Sequence, residues 1–244
     1  MMAATATPSR SPGTWLASAF RSPLLLRAVA EFALIVCSVL VALWVSNWNT
    51  QRDRAHTERV LLASLGAALR ADYAVLARAD SGFRVREQRL AALVEHLRSH
   101  RPYTDTLRVA MGAVYGLSTL TLNRAPYEGL KALDLSLVQD DSLRTALTDL
   151  YDRAYLRVEN VVLAERTINE ELRPYYLGKF RDLTFLESAT PLDPPAVMRD
   201  PLYLNLVEYR LVTLRSNLVG GTERTMQQVQ ETLSRLDAYL RTVD

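Results

Sequence analysis

The chain has 244 residues, 49% hydrophobic and 23% charged, a composition that builds a core and excludes a disordered chain. Its 29 basic and 27 acidic residues leave a net charge of +2. From residue 32 onward the two signs are equal in number, so no basic stripe marks a nucleic-acid partner. The single cysteine, Cys37, excludes an intrachain disulfide and puts a Cys/His zinc site out of reach.

Residues 1–20 are rich in Ala, Ser, Thr and Pro, and the leader holds Arg10, Arg21 and Arg27 but no acid. Residues 1–27 therefore read as a disordered basic leader. Residues 28–48 follow as AVAEFALIVCSVLVALWVSNW, with Glu31 the only charge. At about 1.5 Å per residue this run reaches roughly 31 Å, the thickness of a bilayer's hydrocarbon core. Trp44 and Trp48 lie four apart at its C-terminal edge, where aromatic side chains anchor a helix at the interface, and Asn47 and Asn49 flank Trp48. The expected membrane-interface anchors are thus Glu31, Trp44, Asn47, Trp48 and Asn49. Val45-Ser46-Asn47-Trp48 is a poor cleavage site, so the segment reads as an uncleaved anchor and not as a signal peptide. Arginines are nearly balanced across the span, and the acid-free leader tips the N-terminus inward, with the following domain outside the cytoplasm.

Residues 49–244 read as a soluble helical bundle, because few glycines and abundant Leu, Ala and Arg favour helix over sheet. From Thr50 to about His100 the stripe Leu61, Leu65, Ala68, Leu76, Ala79, Phe83, Leu90, Val94, Leu97 predicts a helix continuous with the membrane span, weakest at Ser81-Gly82 and stopped by Arg101-Pro102. A shorter helix is expected from Thr104 to about Leu117, an extended run over Ser118–Leu122, and a brief helix from Pro126 to about Leu133. Asp141 or Ser142 is expected to cap the next helix, in which Leu143, Leu147, Leu150, Ala154, Val161, Ile168 and Leu172 repeat at bundle-seam spacing and which Pro174 perturbs. Pro191, Pro194 and Pro195 predict a loop. Asp200-Pro201 reads as cap and first-turn proline of a last helix carrying Leu211, Leu214, Leu218, Gly221, Thr225, Val229, Leu233, Leu236 and Leu240, where Gly220-Gly221 is expected to kink the helix or to admit close approach of a neighbour. The fold class is all-α: one transmembrane helix continuing into a membrane-anchored antiparallel bundle.

Glu31 early in the apolar helix, Asn47-Trp48-Asn49 at its end, Ala125-Pro126-Tyr127-Glu128-Gly129-Leu130-Lys131, and Leu143-Arg144 with Leu147 and Tyr151 together resemble a family of uncharacterised bacterial single-pass membrane proteins, a domain of unknown function. The family carries a small residue and a glycine where this chain has Leu133 and Asp134. The resemblance implies the topology and no chemistry.

Four groups are candidates for function, each with a plainer alternative. A carboxylate in a membrane span points to function, but Glu31 lies one turn from Arg27, so an i, i+4 pair at the headgroups accounts for it. His96 and His100 share a helical spacing suited to a metal but have no third ligand, and no Glu-x-x-His occurs. Tyr151, Tyr155, Tyr175 and Tyr176 line either a cleft or a core. Glu170 and Glu171 diverge by about 100° on a helix and do not face one reacting atom. No glycine-rich phosphate loop, G-x-S-x-G or H-E-x-x-H is present. The expectation is a membrane-tethered module of the cell envelope that binds or assembles, non-enzymatic and without a cofactor. Its partners would be the lipid bilayer and a protein partner or a second copy. The alternatives are an extracytoplasmic ligand-binding sensor acting through a partner, and an enzyme with an unrecognised site.

Overall fold

The structure is a computed structural model that describes residues 23–243, so the expected disordered leader, residues 1–27, lies largely outside the described residues. The chain divides at His56/Thr57 into two units. Helix α1 runs Pro23–Arg98. It begins five residues before the expected span, and Ser81-Gly82 does not interrupt it. In the first unit every side chain described except that of Ala55 is exposed, and the most apolar window reaches a mean hydropathy of 2.3. This helix is long and apolar enough to cross a membrane.

The second unit is built around three helical rods. The first is the part of α1 from Thr57. The second comprises α4 (Asp141–Asp149), a π turn at Leu150–Tyr155 and α5 (Leu156–Lys179). The third comprises α7 (Pro201–Thr213), a π turn at Leu214–Val219 and α8 (Gly220–Val243). Cross-links fix their directions. Glu58 meets Tyr239, Tyr73 meets Gln230, Arg84 meets Glu223, Glu87 meets Arg215 and Arg98 meets Glu208, so the third rod descends as the first ascends. Asp72 meets Tyr155 and Arg86 meets Glu165, so the first and second rods are parallel. The bundle is antiparallel along both seams of its third rod. Residues 99–140 carry the chain back between the two parallel rods through α2 (Leu107–Val114) and α3 (Ala125–Leu133).

Local chemistry explains most boundaries. Asp140, not Asp141 or Ser142, caps the second rod: its carboxylate accepts from Leu143 N at 2.9 Å. Asp200 caps the third as expected, accepting from Leu202 N at 2.9 Å. Helix α2 is shorter than predicted at both ends, and the extended run at 118–122 joins no strand. Pro174 lies inside α5, which continues to Lys179 instead of breaking. Gly220-Gly221 opens α8 in helical conformation, directly after the π turn Leu214–Val219. The predicted proline loop instead holds strand β2 (Ser188–Pro191) and helix α6 (Pro194–Arg199); β2 pairs antiparallel with β1 (Phe180–Thr184). The hairpin lies against α2 because Gly112 admits it: a Cβ there would stand 2.2 Å from Ser188 N.

Two apolar clusters fill the second unit. One gathers Leu62, Leu65, Leu69 and Leu76 with Tyr127, Leu143, Leu150, Tyr155, Val229 and Leu236. The other gathers Leu90, Leu93 and Leu97 with Met111, Leu172, Tyr176, Phe180, Tyr203 and Leu214.

Candidate functional site

The residues expected at the membrane edge, Glu31, Trp44, Asn47, Trp48 and Asn49, all lie on exposed surface of α1. Arg27 Nε lies 3.8 Å from Glu31 Oε1, the expected i, i+4 pair. Trp44 and Trp48 are exposed, and the Arg52 guanidinium sits 5.9 Å from the Trp48 ring centroid, a cation–π distance. Asn47 and Asn49 are exposed beside them.

The other sequence candidates resolve into ordinary contacts. Helix α1 ends at Arg98, so His96 and His100 do not share a turn as expected: His96 Nε2 bonds to the Pro102 carbonyl at 3.0 Å, and His100 takes a left-handed φ of 50°. Among the described residues no group of three His, Cys, Asp or Glu is placed to hold a metal. Glu170 and Glu171 are both exposed. The tyrosines are packing residues. Tyr176 stacks on Tyr115 at 4.9 Å and donates to the Met111 carbonyl at 2.8 Å, and Tyr175 stacks on Tyr203 at 5.5 Å and donates to Asp200 at 2.7 Å. Tyr151 stacks on Tyr127 at 4.5 Å, and Tyr155 donates to Asp72 at 2.9 Å.

Asp72 is buried, with no cation paired to it among the described residues. Its partners are the Tyr155 hydroxyl and the Asn123 N–H, at 2.9 Å. Burial pushes its carboxyl above the ordinary 3.8, and these two hydrogen bonds pull the other way.

A more unusual group joins the three rods. Arg86, Glu165 and Arg210 are 6%, 1% and 1% exposed. Arg210 grips Glu165 with both terminal nitrogens, Nη1 to Oε1 at 2.8 Å and Nη2 to Oε2. Arg86 reaches Glu165 Oε2 only at 3.9 Å. It donates from Nε to the Ala113 carbonyl at 2.6 Å, from Nη1 to Ser118 Oγ at 3.1 Å and from Nη2 to the Val114 carbonyl at 3.4 Å. Two guanidiniums thus share one carboxylate. Burial, then the Arg210 charge, push Arg86 down to about 9 against the pull of Glu165.

Arg86 forms part of the wall of a cleft of about 360 Å³ between α1 and the segment after α2. Arg89, Ser118 and Thr119 line it with polar groups, and Phe83, Leu117 and Leu186 line it with apolar ones. A second depression of about 490 Å³, between His100–Tyr103 and α6, carries its positive charge on exposed Arg101 and Arg199. Compared with protein families, with curated proteins and with solved structures, the chain matches none.

Proposed function

We propose that the chain is a membrane-tethered helical module of the cell envelope that works by binding and assembly, not by turnover. The observation that supports this reading most is a line of leucines on the outer side of α5. Leu156, Leu163 and Leu177 fall seven and fourteen residues apart, on one face, and are 44%, 61% and 64% exposed. A helix of a partner protein, or of a second copy, laid along α5 would remove them from water. The test is crosslinking in native membranes, comparing the full-length protein with a Leu156→Ser/Leu163→Ser/Leu177→Ser variant. Crosslinked species that the variant loses support assembly through α5, and their mass separates a partner from a second copy. An unchanged crosslinking pattern overturns it.

The tether belongs to the same proposal. The apolar window of α1 and the arginine leader support a single pass through the inner membrane with the N-terminus inside and the bundle in the periplasm. A phosphatase-type reporter fused after Asp244 is then active, and a cytoplasmic reporter at that position is silent. The resemblance at Glu31 and Asn47-Trp48-Asn49 supports the same topology.

The cleft beside Arg86 favours a second reading, in which the bundle binds a small ligand and passes its state to a partner.

A further inference from the structure

The charge around Arg86 is one positive unit in excess. Glu165 is held at two points by Arg210, and Arg86 stands 3.9 Å from the same carboxylate. Of the five N–H donors of a guanidinium, three on Arg86 are used on neutral oxygens, those of Ala113, Val114 and Ser118. Two donors remain. A buried cation with half a carboxylate is unfavourable unless a further anion approaches it.

The cleft provides the approach. Arg86 lines it, and so does Arg89, one helical turn further on and with no ion-pair partner among the described residues. Ser118 and Thr119 line the same space, and Phe83, Leu117 and Leu186 supply an apolar wall. Gly82 leaves one side of the cleft open. No atom lies within 4 Å of the position its Cβ would take, so the protein's own packing does not require a glycine. Gly82 lines this cleft.

We propose that this cleft binds a small organic carboxylate bearing a short apolar group, the carboxylate between Arg86 and Arg89 and the hydrocarbon against Phe83, Leu117 and Leu186. The planar guanidinium fork of Arg86, with that of Arg89 beside it, matches a carboxylate. A volume of about 360 Å³ is at the small end for ligand sites. The inference rests on the ligand-binding reading and is independent of assembly through α5.

The test uses the full-length protein in a non-ionic detergent, titrated with hexanoate, hexylammonium and inorganic phosphate, and read by melting temperature and by calorimetric heat. Hexanoate raises the melting temperature with concentration, as a ligand of the folded state must, and hexylammonium does not. Arg89→Gln, at an exposed position, leaves the ligand-free melting temperature unchanged and weakens hexanoate by about tenfold or more. Gly82→Leu, which fills the cleft, abolishes the hexanoate effect. Phosphate bound in preference to hexanoate and lost in Arg89→Gln overturns the carboxylate while leaving the ligand-binding reading standing. Binding of neither anion, an equal response to hexylammonium, or undiminished hexanoate binding in either variant overturns both.

Discussion

Glu165 is the residue on which the buried charges depend. It is 1% exposed and lies between two guanidiniums, so removing it leaves both cations in the interior without a counter-ion. Breaking a buried ion pair from one side costs about 3–5 kcal/mol. Glu165→Ala should lose that much in urea or thermal unfolding followed by helical circular dichroism. His96→Ala, at an exposed position, should stay within about 0.5 kcal/mol. Asp72 works in the opposite sense from a salt-bridged acid. Its folded pKa lies above its unfolded value, so between the two the native state holds more protons. Its contribution is therefore most favourable at acid pH and is lost as pH rises through the folded pKa. Asp72→Asn keeps an acceptor for Asn123 N–H and removes the titration. It should flatten the fall in melting temperature as pH is raised from about 4, and an unchanged slope would show that the carboxylate is solvated. These polar residues were hidden in the sequence by their regularity. Arg86 fills the gap between Phe83 and Leu90, Glu165 stands between Val161 and Ile168, and Arg210 between Val207 and Leu214, all at apolar-stripe spacing. A charge in a core register was the available signal, but which three charges meet depends on how the rods are aligned.

At the scale of elements, the long helices were legible because their stripes are long. Leu143, Leu147, Leu150, Ala154, Ile168 and Leu172 are all buried, and the Asp200-Pro201 start is where cap chemistry put it. The hairpin β1–β2 was not legible. Two strands of five and four residues are too short for a period to emerge, and three prolines read as loop. The parallel run of the first two rods was also hidden, since stripe spacing carries no direction and the return of residues 99–140 is mostly irregular. Two glycines separate the local from the tertiary contribution. Gly112→Ala drives a Cβ into the backbone at Ser188 and should destabilise by about 1–3 kcal/mol. Gly82→Ala meets no atom within 4 Å and should stabilise by about 0.5–1 kcal/mol through helix propensity. Paired urea titrations measure both, and a loss at Gly82 would mean that the helix there needs glycine for its own backbone.

At the scale of the whole molecule, the second unit has two apolar clusters; Arg86 and Arg210 fall among the residues of the Leu90–Tyr176 cluster, and Glu165 between the two clusters in sequence. Leu150 lies in the cluster with Leu62 and Tyr127, and Leu214 in the cluster with Leu90 and Tyr176, each essentially inaccessible. Truncating either to alanine costs about 2–5 kcal/mol against a typical domain stability of about 5–15. If the clusters open separately, the two lesions have different footprints in hydrogen exchange. Leu214→Ala should speed exchange in α2 and the β1–β2 hairpin, whose buried residues belong to its cluster, while Leu62–Leu76 and α3 stay protected. Leu150→Ala should do the reverse. Exchange that rises everywhere in both variants would mean that the ion group couples the clusters into one cooperative unit, since three rods pinned by one carboxylate must then part together.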